Sequence, residues 1–384
     1  MLQDHSATAP ESTDVAIIGG GLAGLCAAIH LARAGRQVTL LEKRDYPTHR
    51  VCGEYVSREV VPYLQSLGFD PYKHGAAHIS RLALTTPSGA PLYTPLKMGG
   101  FGLSRWTMDA ALADVARHAG VDVRTRTPVE NIAQLADGSL SLTLKGGKAL
   151  HARFAAGAWG KRDALDRRLE RPFMQARTGF MGVKYHVRGQ WPADQIALHL
   201  FPGGYCGHSR VEGSDVYNLC YLFRRGTTDF RDINDLQKRA LFRNQHLHQI
   251  FREAEFVLDA PEVINEISFA PKAPVMNGVL LCGDSAGLIT PLCGNGMAMA
   301  IRGARIAATA ILAAGVQPTQ QARQAMEVGY ARAWRAAFGQ RLWWGRAIQR
   351  MFYSDALLGA GLGVLRAAPW MRPWLIGKTH GAMM

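Results

Sequence analysis

Three glycines, Gly19, Gly21 and Gly24, close a short apolar run and open a helical one, and this spacing restricts the possible folds more than any other feature of the chain. Residues 14–18 are mostly apolar without a helical period, as a parallel strand buried on both faces requires. Gly19 permits a tight turn, Gly21 lets the backbone approach a pyrophosphate, and Gly24 lets the following helix pack close on the strand. The helix expected over 22–34 points its unpaired N–H groups, those of Leu22 and Ala23 among them, at the same place, and Gly35 closes it. Residues 38–41 read as a second strand. Glu42 stands at its end, where a carboxylate suits the two hydroxyls of an adenosine ribose. Strand, glycine turn, helix, strand and acid together specify a dinucleotide-binding unit.

A chain of 384 residues, 48% hydrophobic and 19% charged, is long enough for two domains or one interleaved pair. Its six cysteines are scattered, with no C-x-x-C pair, which points to a reducing, cytoplasmic setting and to no metal site. Residues 1–12 are polar and read as a disordered lead-in without a secretory h-region. No uninterrupted apolar run of about 18 residues stands out, so no membrane span is expected. The net charge of +14 attracts anions of every kind. With no helix-turn-helix pattern and no basic stripe interleaved with aromatics, a nucleic-acid partner is not expected.

Further along, a helix is expected from Ser57 to Leu67, and strands over 81–86 and 91–96 around a Pro-Ser-Gly turn. A helix over 108–118, capped by Thr107, follows Arg105. Strands are expected over 121–125, 129–135 and 140–144, the last two joined at Asp137-Gly138. Residues 178–223 alternate with period two and predict an inserted antiparallel sheet. Helices are expected over 233–244 and 246–255. The chain then returns to the first domain through a buried strand ending at Gly283-Asp284, a turn containing Pro291, Gly294, Asn295 and Gly296, and a helix from Met297 to 314. The remainder reads as helical. The expected division is an α/β Rossmann-type domain with a parallel sheet over 13–75, 100–175 and 270–316. An antiparallel substrate sheet takes 76–99 and 176–269, and a helical cap takes 317–384.

Three separated segments resemble FAD-dependent oxidoreductases of the aromatic-hydroxylase fold, in the branch that holds geranylgeranyl reductases and flavin-dependent monooxygenases. They are the glycine turn with Glu42, the run Cys282-Gly283-Asp284-Ser285-Ala286-Gly287 with Pro291 and Gly294-Asn295-Gly296, and the middle loop Gly157-Ala158-Trp159-Gly160-Lys161-Arg162. The resemblance implies FAD held by Gly19, Gly21, Leu22, Ala23, Gly24, Glu42, Lys43, Arg50, Arg105, Gly283, Asp284, Pro291, Gly294, Asn295, Gly296 and Met297. Asp284 suits a ribityl hydroxyl, and the N–H groups after Gly294 face the flavin pyrimidine, where charge gathers on reduction. With a single G-x-G-x-x-G, NAD(P)H is expected only as a transient reductant. Two features depart from many relatives. Trp159 stands where the middle loop often has Asp, and Gly287 where many hydroxylases have His.

Cys52 resembles the cysteine that geranylgeranyl reductases place beside the isoalloxazine. Phe201-Pro202-Gly203-Gly204-Tyr205 resembles a hydroxylase loop in which Tyr205 or Phe201 walls the ring, and His208 is a candidate proton or substrate contact. The catalytic candidates are therefore Cys52, Tyr205 and His208. NAD(P)H- and O2-dependent hydroxylation of a hydrophobic aromatic, polyketide or lipid-like molecule is the leading reaction, with reduction of an isoprenoid double bond as the alternative. Halogenation ranks below both, because no W-x-W-x-I-P signature is present. A non-catalytic carrier of the same fold is the rival from another class. Between Arg332 and Lys378 eight Arg or Lys face one acid, with five tryptophans interspersed. That pattern suits either a helical cap or peripheral contact with the inner face of a membrane.

Overall fold

Glu11–Ile18 forms the strand that its apolar run demands, and a computed structural model shows what surrounds it, describing residues 11–384 except Ser214 and Tyr353. The strand pairs in parallel with Val38–Leu41 on one side and Ala149–Gly157 on the other, and Val279–Leu281 continues the parallel set beyond 149–157. The expected lead-in falls outside the described residues over 1–10. Glu11 and Ser12, expected to be disordered, instead extend the strand opposite Leu150 and His151. The hairpin of Val129–Gln134 and Leu140–Leu144 adds antiparallel strands to this mixed sheet.

The helices are α1 Leu22–Arg33, α2 Val61–Ser66, α3 Arg105–His118, α4 Ala164–Arg168, α5 Ile233–Arg239, α6 Gln245–Glu253, α7 Gly296–Ala313, α8 Gln320–Met351, α9 Asp355–Ala367 and α10 Met371–Thr379. α1 and α7 pack on each other, and α8 packs on α7. α7, with its 18 residues, is long and apolar enough, by length and composition, to cross a membrane, although Arg302 and Arg305 interrupt its apolar run. Half of that window is buried in the core. A second correction concerns α3, which begins at Arg105 and is capped by Ser104, whose hydroxyl accepts from Thr107 N. Thr107 is the donor rather than the cap.

A second sheet of nine strands covers the first domain. Phe180–Arg188, Val216–Arg224, Gly204–Arg210 and Gln195–Phe201 run antiparallel in that spatial order, followed by Ala77–Thr85, Leu92–Gly102 and Tyr55–Ser57. Tyr55–Ser57 and the end of 92–102 thus belong to this sheet. Side chains alternate between its two faces. Met181, Val183, Cys206, Leu219, Tyr221 and Phe223 face outward into a core closed by α5 and α6. Leu200, Tyr205 and Leu222 face inward, toward Leu288 and the C-terminal helices. The architecture is the expected α/β fold with a β-sheet insert and a helical C-terminus.

Candidate functional site

The strand register puts four turns on one edge. Ile18 lies opposite both Leu41 and Gly157, and Gly157 lies opposite Leu281. The residues that follow, Gly19, Glu42, Ala158 and Cys282, therefore leave the sheet side by side at its carboxyl edge, where open α/β sheets bind ligands. Contacts close the circle. A Cβ on Gly24 would meet Gly19 O at 1.9 Å, and one on Gly19 would meet Ala158 O at 2.5 Å. One on Gly283 would come within 3.2 Å of Ala23 Cβ, and Gly160 N donates to Ser285 Oγ at 3.2 Å. The glycine turn, the middle loop and the Gly283-Asp284 turn are thus walls of one crevice.

The two helix starts at the crevice offer donors without acids. Neither α1, starting after Gly21, nor α7, starting after Asn295, has a side-chain cap or an acid in its first turn. Their leading N–H groups, including those of Leu22, Ala23, Gly296 and Met297, are left for an anionic or carbonyl ligand. Asn295 is buried with its Oδ1 unpaired, while its Nδ2 donates to Thr379 O at 2.6 Å. Pro291 starts a single 3-10 turn that ends at Gly294, in the left-handed region at φ 61°. The Asp284 carboxylate meets no side-chain partner among the described residues, and Lys272 Nζ donates to the Asp284 carbonyl (2.8 Å) and to Lys161 O (2.9 Å). Burial pushes the Lys272 amine down to about 8, against the opposing pull of Asp284 and Asp166.

At the opposite wall, Glu42 is more committed than the sequence suggests. Its carboxylate accepts from Gly20 N at 2.7 Å, Arg44 N at 3.0 Å and Arg50 at 3.3 Å. Tyr46, missed in the sequence, donates its hydroxyl to Gly20 O at 2.6 Å. Arg105 lies beside Gly21 and grips Asp109 through two bonds of 2.7 Å, and Arg50 reaches the same fully buried Asp109 at 3.2 Å. Lys43 turns away to pair with Asp163 at 2.5 Å. Trp159 is structural here: its Nε1 donates to the buried Asp166 and its ring covers Gly157.

The sheet above contributes Tyr205. Its hydroxyl accepts from Leu292 N at 2.8 Å and lies 3.3 Å from Thr290 Oγ1, fixing the turn that leads to Gly294. His208 needs correcting as a catalytic candidate. It lies on the outward face, edge-on to Trp191 and stacked on Tyr217, and burial pushes its imidazole down to about 3. Phe201 also faces outward, into the same core. Cys52 is partly buried against the first-domain core, and its loop is held by Lys161 Nζ, which donates to Val51 O at 2.7 Å.

The least legible group was Glu54. It is fully buried at φ 53° and accepts from Lys184 (2.5 Å), from His186 (2.5 Å) and from Arg105 N (2.7 Å). Burial pushes its carboxyl upward, but Lys184 and His186 outweigh that and hold it down to about 2. A lysine and a histidine two residues apart on a strand whose neighbours are buried were the available signal, since such groups require a partner. Glu59 is a second buried acid. It accepts from Arg341 at 3.0 Å and from Gly381 N, while its carbonyl accepts from Met384 N at 2.9 Å.

Residues 12–324 match the family model described as FAD binding domain. The chain belongs to that family. The crevice's uncapped helix starts and open Asp284 carboxylate fit such a cofactor. Digeranylgeranylglycerophospholipid reductase 1 of Methanothermobacter thermautotrophicus is similar, at 26% identity over 86% of this chain and 84% of its own length. Menaquinone reductase of Mycobacterium tuberculosis is 24% identical, over 78% of this chain and 76% of its own length. The fold is shared with PqsL of Pseudomonas aeruginosa, described as a probable FAD-dependent monooxygenase (TM-score 0.67, 16% identity, 91% and 99% coverage). It is also shared with the myxobacterial chondrochloren halogenase CndH (TM-score 0.72, 20% identity, 85% and 80% coverage).

Proposed function

We propose that this FAD-dependent oxidoreductase is a monooxygenase of a hydrophobic aromatic or lipid-like molecule, reduced by a transiently bound NAD(P)H. The observation that carries the reading is the apolar cluster packed beside the turn that leads to Gly294. Tyr205, which anchors that turn, shares an apolar cluster with Leu200, Leu222, Ile267 and Leu288, lined further by Phe180, Phe269, Phe352 and Leu358. On the inward face of the sheet, Phe180, Leu222, Tyr205 and Leu200 come from four adjacent strands and carry no acid or base between them. Bound FAD supplies hydride acceptance and oxygen activation. The chain's own part is to hold an apolar substrate and keep water from the reacting centre. The balance is one O2, one NAD(P)H and one proton consumed per hydroxyl inserted, with one water released.

The curated relatives favour a second reading, reduction of an isoprenoid double bond, and Cys52 and Gly287 agree with it. There the hydride goes to one alkene carbon and a proton to the other. NADPH oxidation measured with and without oxygen separates the two. Substrate-stimulated consumption that requires oxygen supports the hydroxylase, and consumption with substrate reduction under anaerobic conditions overturns it. The halogenase reading stays behind both for want of its tryptophan motif. A colourless preparation that takes up no FAD would reveal a carrier. The six cysteines, all unpaired, fit a reducing compartment, and we place the enzyme in the cytoplasm.

A further inference from the structure

Between Asp355 and Arg366, α9 is apolar throughout. Leu362 is buried and Leu358 packs against the apolar cluster around Tyr205, while Leu357, at 54% exposure, and Val364 face out. A helix that buries one apolar side and exposes the other has a second apolar environment to meet. The exposed side continues into α10. Trp370 is 71% exposed and Trp343 58% exposed, and Trp344 bridges Trp343 and Trp374 with ring centroids 5.0 and 5.6 Å apart. Tyr93, on the strand Leu92–Gly102, joins the same face, where Arg372 donates to its carbonyl at 3.3 Å. Lys378 Nζ stands 5.1 Å over the Trp374 ring. Arg346, Arg350, Arg366, Arg372 and Lys378 form no ion pair among the described residues.

We infer that this face docks on an anionic lipid bilayer, with Leu358 and Phe352 joining it to the apolar cluster around Tyr205. Tryptophan rings settle at headgroup depth, aliphatic side chains reach the acyl boundary, and unpaired guanidinium groups meet lipid phosphate. A second copy of the chain fits the face less well, because it would bring the same positive charge to the contact. The surface is independent of which reaction the flavin runs.

The test is co-sedimentation of the FAD-loaded protein with phosphatidylcholine vesicles, with and without phosphatidylglycerol, at low and high salt. Binding is expected with the anionic vesicles and should weaken as salt rises. The triple variant Leu357→Ser/Val364→Ser/Trp370→Ala changes only exposed side chains. It should lose at least about tenfold in vesicle affinity, with flavin content and melting temperature unchanged. Protein that stays in the supernatant with anionic vesicles, or a triple variant that binds as well as the parent, overturns the proposal. So does a vesicle-free dimer that the triple variant converts to monomer, which would show that a second copy covers the face.

Discussion

Replacing Glu54 with glutamine keeps the shape of a fully buried side chain and removes its charge. The Lys184 ammonium, itself fully buried, then loses its counter-ion. The structure sets the magnitude. The fall of the Glu54 carboxyl from its ordinary 4.5 to about 2 converts to about 3 kcal/mol of stability at about 1.4 kcal/mol per tenfold change. Breaking one partner of a buried ion pair costs about 3–5 kcal/mol, which agrees. The pH dependence has a definite sign. A depressed carboxyl stabilises the fold above its unfolded value, and that contribution is lost as pH falls from about 4.5 toward 2. Urea unfolding followed by tryptophan fluorescence should therefore place Glu54→Gln about 3 kcal/mol below the parent at neutral pH, with the gap closing on acidification. Adding Lys184→Met removes the stranded ammonium and should recover part of the loss. A single variant as stable as the parent at neutral pH, or a gap that persists in acid, refutes the reasoning.

Asp284→Ala should purify with little or no flavin and a near-parental circular dichroism spectrum, because its side chain supports no other part of the fold. Stoichiometric FAD by absorbance would show that the carboxylate has no part in binding. His208→Asn should lower the unfolding free energy by about 1–3 kcal/mol through lost packing on Trp191 and Tyr217, while substrate-dependent kcat stays near the parent's. A large kcat loss at unchanged flavin content would return His208 to the active site.

What could be read from the sequence was what backbone geometry dictates locally. The Gly19–Gly24 turn needs residues without a Cβ, and the strand–turn–helix order around it is written in periods of two and 3.6. The Gly283–Gly296 region was legible for the same reason. The strand expected over 91–96 instead runs on through Gly100 to Gly102. A Cβ there would strike the Tyr55 ring at 2.3 Å or Arg210 O at 1.9 Å, so these glycines mark close approach within a sheet. Glu54 and Tyr46 escaped notice because their partners, Lys184 and Gly20, are distant in sequence. His208 was misjudged by one strand position, and in a sheet one position changes the face.

The bond from Asn295 to Thr379 and the bonds from Glu59 to Gly381 and Met384 have a consequence for how the holoenzyme is made. The glycine turn precedes these tail residues in the chain and is synthesised before them. A nascent chain could hold FAD by its adenosine half alone, with the turn that receives the ring still unlatched. Closure of the turn around Asn295 thereby waits until α10 has been made and has folded back.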